Sequence, residues 1–467
     1  MRKKLLILLG AGSSVEQGLP STYELNKEVQ AWARDFAARK TADPIDAYTP
    51  LVRTDFFGRL WANRAGYCDG LSADERGVLE QRTEANYERV LGDLHALMNG
   101  VLPKPYGDPV LRFVSRADVF SDLRIAPEQG ELDQHGSNKV FHAVEAQLKH
   151  LYEKLAWRIR GNSRVFEIDC YKEGTSKKFQ PYCELMGALF SEFDVGIYNL
   201  NYDSVALNAF PNAFVGFDRK TGCFSPVEVL GRDEWGFLYH LHGSIHHRMY
   251  YGSHTMEDAD FGPKIVWDED LSQREDRENW EDAIHLTTQS DEKRLMLTSF
   301  IAGGWKLDQL QEEPFTTLYS CLPRHAYQAD AIVIAGYGFG DSHVNSVLQN
   351  MLRSKTVGGR RPPVLVLDYE KNRLSTAKRG DAWASSMGKT LRVSPQSFRS
   401  PGLWNQQQWT ELPDTVLMEE FEQSLRVPVA TWNHGFTSVV RKLSRAVAWL
   451  HGDNSALGHG LLNKRTG

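Results

Sequence analysis

A doubly wound α/β fold, a parallel sheet with crossover helices on its faces, is the class this sequence predicts, and three observations predict it. Short apolar runs ending in Gly, Asn, Asp or Ser recur at Leu5–Leu9, Val195–Leu200, Phe237–Leu241, Leu295–Ser299, Ala331–Ala335 and Val364–Leu367. Several are followed by apolar residues spaced three and four apart, the period of an amphipathic helix. The runs at Leu5–Leu9 and Ala331–Ala335 pass straight into glycine-rich turns, as strands do where the chain turns into a helix facing a ligand.

The first run follows a basic start, MRKK, and precedes small residues, which imitates a signal peptide. Its five apolar residues fall short of the about 7–15 of such a segment. A Leu/Ile run that does not alternate suits a parallel strand covered on both faces. Nothing elsewhere approaches the ~18 apolar residues of a membrane span, so a cytoplasmic protein without a membrane partner is expected.

Between the first two runs, helical spacing dominates, as in Ala85–Met98 and Val144–Ile159. So long a connection is no bare loop; it reads as a helical insertion able to roof one end of the sheet. The expected organisation is a discontinuous core of residues 1–30 and 186–393, the insertion at 31–185, and a C-terminal helical extension at 394–467. The acidic stretch Glu257–Lys293 and the Pro/Gln/Ser-rich stretch Ser394–Trp409 read as peripheral surface.

The chain has 467 residues, a net charge of −6 and five cysteines, Cys68, Cys170, Cys183, Cys223 and Cys321. An acidic balance argues against a surface built for nucleic acid, which needs clustered Lys and Arg. No cysteine pair has CxxC spacing, so the thiols read as reduced and buried rather than as zinc or redox groups.

Four motifs carry chemistry. Gly10-Ala11-Gly12-Ser13-Ser14, followed by Gly18-Leu19-Pro20, forms a turn at which a pyrophosphate can come close to the backbone and meet helix N–H groups. Val15 stands where a dehydrogenase fingerprint has its third glycine, and a purely structural turn is the alternative. Asn199-Leu200-Asn201-Tyr202-Asp203 closes the second run, where Asn and Asp can hold a ribose or a water, or merely cap the next helix. Leu241-His242-Gly243-Ser244 ends the third, and a histidine there suits a general base. His240, His246 and His247 crowd nearby without a carboxylate or Cys at ligand spacing, so no metal is expected. Gly336-Tyr337-Gly338-Phe339-Gly340-Asp341 offers a second backbone surface, with Asp341 suited to cap the helix it begins. Asp368, at the tip of Val364–Leu367, is placed to accept from a ribose hydroxyl.

In this order the motifs GAGSS…GLP, NYD, HG and GYGFGD resemble the sirtuin superfamily, specifically the bacterial sirtuin-like branch of anti-phage defence. The resemblance spans Lys4–Ser14 and roughly Ser191–Leu367. It implies a Rossmann-like, sirtuin-type core that takes NAD as its substrate, without a metal cofactor. The catalytic positions would be Asn201 and His242, with Asp203 beside them. Gly10, Ala11, Gly12, Ser14, Gly18 and Pro20 would form the first nucleotide turn, and Gly336, Gly338 and Asp341 the second. Asn86-Tyr87-Glu88 resembles an N-aromatic-E element of that branch, for which packing and capping are expected.

The sequence departs from protein-deacylating sirtuins. It lacks their four-cysteine zinc module, has Ser21-Thr22 after the GxP, and has Asn199-Leu200 in place of Thr-Gln. Hydrolysis of NAD to nicotinamide and ADP-ribose by a regulated, NAD-depleting effector is therefore the expectation the resemblance implies. The triggers it implies are self-assembly into a homo-oligomer, an ATPase or Argonaute-type partner, or a phage protein. A non-cleaving NAD or ADP-ribose sensor and an NAD-dependent deacylase or ADP-ribosyltransferase are the alternatives.

Overall fold

A computed structural model describes residues 2–38, 87–101, 151, 155, 157–159, 161–162, 176–251, 263–269, 284–288, 294–302, 306–359, 361–370, 375–379, 381–399 and 420–457. Five of the six apolar runs become neighbouring parallel strands: β1 (Lys3–Leu9), β2 (Phe193–Asn199), β3 (Phe237–His240), β8 (Ala331–Ala335) and β9 (Val364–Leu367). The hairpins β4 (His247–Tyr251) with β5 (Pro263–Trp267) and β6 (Ile284–Thr288) with β7 (Arg294–Thr298) stand apart from that sheet. The run Leu295–Ser299 is therefore an antiparallel hairpin arm and no core strand. The acidic stretch supplies β5 and β6 and is not merely surface chain.

Beyond β9, the segments β10 (Phe398–Arg399), β11 (Glu422–Ser424) and β12 (Val429–Trp432) extend the sheet. Its order is β10-β11-β12-β9-β8-β1-β2-β3. The C-terminal region is thus not simply helical: β12 lies parallel to β9, and the helix Leu443–Leu450 follows. At four residues, β12 is too short a run for its period to show.

Alternation in β1 shows why the sheet is covered on both sides. Leu5, Ile7 and Leu9 join the cluster containing Tyr182, Leu185 and Met186 of helix Ser176–Glu192 and Trp449 of the last helix. Leu6 and Leu8 join the opposite cluster, with Leu318 and Leu322 of helix Phe315–Gln328 and Leu348 and Met351 of helix Ser342–Val357. Helix Ser176–Glu192 buries Tyr182, Leu185, Met186 and Leu189 in the core, so the unit boundary expected at 185 falls inside it. Every described residue of 31–185 is helical.

From β1 the chain moves outward through β2 and β3, then returns to the other side of β1 for β8, β9 and β12. The reversal between β1 and β8 opens a crevice at the strands' carboxyl ends, the usual ligand position in such sheets. Among the described residues no helix is long and apolar enough to cross a membrane.

Candidate functional site

The two glycine turns meet at this crevice and are stitched together. Gly10 N–H donates to Ala335 O at 2.9 Å and Gly12 N–H to Gly336 O at 2.9 Å. A Cβ on Gly10 would lie 2.6 Å from Gly336 O, and one on Gly336, where φ is +58°, would lie 2.0 Å from Ser13 N. The contact between turns is what demands these glycines. The expectation of free amides in the helix after the first turn is corrected, because that helix is only Gly12–Val15. The N–H groups of Gly12, Ser13 and Ser14 already donate to Gly336 O, Gly10 O and Ala11 O. Helix amides without intrahelical acceptors lie instead at the second turn, where the 16-residue helix Ser342–Val357 begins.

Around this junction is a cavity of about 920 Å³. Gly10, Ala11, Gly12, Pro20, Asn201, Asp203, His242, Gly336, Gly338, Asp341 and Asp368 line it, all of them sequence-predicted. Ser14 and Gly18 do not; Ser14 is buried behind the wall and Gly18 turns with φ +87°. Tyr87, Glu88, Arg89 and Ile159 of the intervening helical segment also face the cavity. Asn86 lies outside the described residues.

Asn201 holds the first turn together. Its Nδ2 donates to Gly10 O at 3.0 Å and to Ser13 Oγ and Ser14 Oγ at 3.1 Å each. The carbonyl Oδ1 is left as the end able to accept from a water or a ribose hydroxyl. Asp203 accepts from Val205 N–H at 3.0 Å. Burial pushes its carboxyl up to about 6, against hydrogen bonds from Val205 and Ser14.

His242 is 3% exposed, and burial pushes its imidazole down to about 3, with Asp341 opposing and Lys306 and His343 reinforcing the shift. It is therefore neutral at pH 7. Its Nε2 lies 3.3 Å from His343 Nε2 and 3.9 Å from Asp341 Oδ1. Gly243, at φ +93°, is forced by the adjoining chain: a Cβ there would lie 2.4 Å from Ser299 O.

The expected cap by Asp341 is also corrected. It occupies the N-cap position, but its side chain accepts no helix amide. Lys306 Nζ takes it at 2.8 Å and reaches Glu88 at 2.9 Å. Burial raises the Asp341 carboxyl, but the charges of His242 and Lys306 outweigh burial and hold it at about 2. With His242 neutral, Lys306 is the partner that counts at pH 7. Glu88 thus joins the site by an ion pair instead of a cap.

Asp368 lines the cavity, yet one of its oxygens is already taken by Arg379 Nη1 at 2.8 Å. Any ribose contact is shared with that arginine. The histidines expected to crowd the site divide. His246 stacks on Trp267 with ring centroids 4.6 Å apart, and His240 faces Asn201 O at 3.2 Å. Among the described residues the group with metal-ligand spacing is His242, Asp341 and His343, their donor atoms within 4.8 Å of one another. Sequence reading missed this group, along with Lys306. The only signal was the D-x-H spacing at the start of a helix.

These buried groups set an acid sensitivity. His240, His242 and His325 are each pushed down to about 3, chiefly by burial. Between pH 6.5 and 3 the unfolded chain binds protons that these folded imidazoles refuse, so their stability is complete above 6.5 and lost on acidification. Asp203 acts oppositely between about 3.8 and 6, where the folded carboxyl holds a proton the unfolded one releases. Three such imidazoles, with His343 shifted the same way, outweigh one carboxyl, so unfolding near pH 5 takes up protons and stability falls as the pH is lowered. Urea melts at pH 7, 6 and 5 check this; a midpoint that does not fall with pH contradicts it.

The family model described as SIR2-like domain matches residues 195–389, from within β2 through most of helix Ala382–Leu391. That stretch, which contains NYD, HG and GYGFGD, is thus SIR2-like in sequence. Among solved structures the chain is similar to a Sir2 homolog–NAD complex, at 12% identity over 84% of this chain and 89% of that one, with a TM-score of 0.30. It is also similar to a mutant Sir2 homologue bound to ADP ribose, at 12% identity over 84% and 91%, also with a TM-score of 0.30. No curated protein matches the chain in sequence.

Proposed function

We propose that this chain binds NAD across the switch-point cavity and hydrolyses its nicotinamide–ribose bond, releasing nicotinamide and ADP-ribose. The observation that carries the reading is the convergence of Asn201, Asp203, His242 and both glycine turns on one cavity of about 920 Å³. Small-molecule sites span about 300–1,000 Å³.

The start of helix Ser342–Val357 receives the pyrophosphate, because its first-turn amides favour an anion. Asp368 accepts from the adenosine ribose. Asn201 Oδ1 aligns a water beside the nicotinamide ribose, and the neutral His242 takes a proton from that water or from a ribose hydroxyl. As the glycosidic bond breaks, its electron pair leaves on the nicotinamide nitrogen and cancels the positive charge there. Water oxygen then bonds the anomeric carbon.

Two observations favour a second reading, a module that senses NAD or ADP-ribose without cleaving it. Asn201 Nδ2 is committed to the turn, and a base held at about 3 is weak. Incubating the protein with NAD, alone and beside each trigger the resemblance implies, and separating products by HPLC decides. Nicotinamide and ADP-ribose in equal amounts, without a peptide acceptor, are expected. Calorimetric binding with no product even beside those triggers supports the sensor; release only with an acyl-lysine peptide, or label transferred to protein, supports a transferase or deacylase.

The sirtuin-like resemblance further suggests a cytoplasmic, NAD-depleting effector of antiviral defence, kept quiet until it self-assembles or meets an ATPase, Argonaute-type or phage-derived trigger. The Glu88–Lys306–Asp341 chain supports such control, since it ties a helix of the long intervening segment to the histidine pair.

A further inference from the structure

We propose that His242, His343 and Asp341 form a Zn²⁺ site on the cavity wall, and that the bound ion switches NAD cleavage off. Binding of the ion stands on the geometry alone; its effect on cleavage rests on the hydrolase reading.

The two Nε2 atoms face each other at 3.3 Å. Imidazoles bound to zinc at about 2.0–2.1 Å in a tetrahedron have nitrogens about 3.3 Å apart, so little rearrangement separates the present pair from a ligand pair. A carboxylate oxygen of Asp341 lies 3.9 Å from the same nitrogen of His242, and the three donor atoms span no more than 4.8 Å. All three residues border the cavity, which gives the ion a way in and leaves its fourth position to water. Two imidazoles and one carboxylate select a first-row transition ion over Mg²⁺ or Ca²⁺, which prefer oxygen donors.

Lys306 is the competitor, with its ammonium 2.8 Å from Asp341 Oδ1. Glu88, at 2.9 Å, offers that ammonium a second carboxylate on which to stay paired when Asp341 turns to the ion. Zinc on His242 Nε2 occupies the lone pair that must take the proton. It also sets a dication beside a ribose that becomes positive as nicotinamide leaves, so bound zinc opposes cleavage twice.

Calorimetric titration of the full chain with ZnCl₂, beside MgCl₂, is the test. One Zn²⁺ per chain and no Mg²⁺ are expected. His343→Ala is expected to weaken zinc by more than the about 10–100-fold typical of losing an outer-shell partner, whereas His451→Ala, on another surface, leaves it unchanged. X-ray absorption on the zinc-loaded parent should show nitrogen and oxygen neighbours only, which keeps the site testable if the His343 variant misfolds. No zinc uptake, uptake unaltered by His343→Ala in a folded protein, or sulfur neighbours would overturn the site. Nicotinamide release that persists with the ion bound overturns the inhibition. Absence of release from zinc-free protein, even beside those triggers, sinks the hydrolase reading instead, and calorimetry still decides the ion.

Discussion

His242→Ala is expected to lower nicotinamide release by about 10²–10⁴, the usual worth of a positioned general base, while melting close to the parent. His242 sits at the carboxyl end of β3 and borders the same cavity as Asn201 and Asp203. Burial keeps its imidazole neutral down to about pH 3, so its lone pair is open over the whole working range. The pH profile adds a sharper test. A free histidine would impose an acid limb on kcat/KM near 6.5. Here the acid limb belongs to Asp203 instead, whose burial raises its carboxyl and whose ionised form faces, across the cavity, the ribose that becomes positive, so Asp203→Asn should abolish the limb. A variant lacking His242 that cleaves NAD at the parental rate would refute that assignment, and a limb that persists without Asp203 would refute the part given to Asp203.

The residues that converge were legible because of the register of a parallel sheet. Leu9, Asn199 and His240 end neighbouring strands in step, so residues just beyond each run arrive at one edge. Apolar runs bounded by glycine marked those strand ends one by one. What could not be read were partners set by three-dimensional proximity. Lys306 lies in a four-residue helix with no period to detect, and Glu88 reaches it from more than two hundred positions away in sequence. Asp341 looked like a cap because Asp before a helix commonly is one, but a buried ammonium competes for that carboxylate and wins it. Leu295–Ser299 misled for the opposite reason: a short apolar run fits a hairpin arm as well as a core strand. Gly10 and Gly336 were marked as special for a ligand, and the structure adds a second neighbour that demands a glycine, the other turn. The sequence pattern does not distinguish a glycine pressed against another turn from one that faces a ligand.

That distinction gives the second large effect, a pair of substitutions two residues apart. Gly336→Ala places a methyl 2.0 Å from Ser13 N and 2.3 Å from Gly12 C, both backbone atoms, at a φ of +58°. A left-handed backbone alone costs an alanine roughly 1–2 kcal/mol. The overlap adds more, because neither turn can retreat without breaking the Gly10–Ala335 and Gly12–Gly336 hydrogen bonds. A loss of at least about 3 kcal/mol in a urea melt is expected, in the tail where single substitutions become diagnostic. Gly338→Ala should behave oppositely. A Cβ there meets nothing within 4 Å, so stability should stay within about 0.5 kcal/mol of the parent. Gly338 nevertheless faces the cavity, and a methyl there stands where the nucleotide must lie. NAD should therefore raise the Tm of the parent but much less that of Gly338→Ala. If Gly336→Ala melts like the parent, the turns are not held together as described. If Gly338→Ala keeps full protection by NAD, the nucleotide does not cross the second turn.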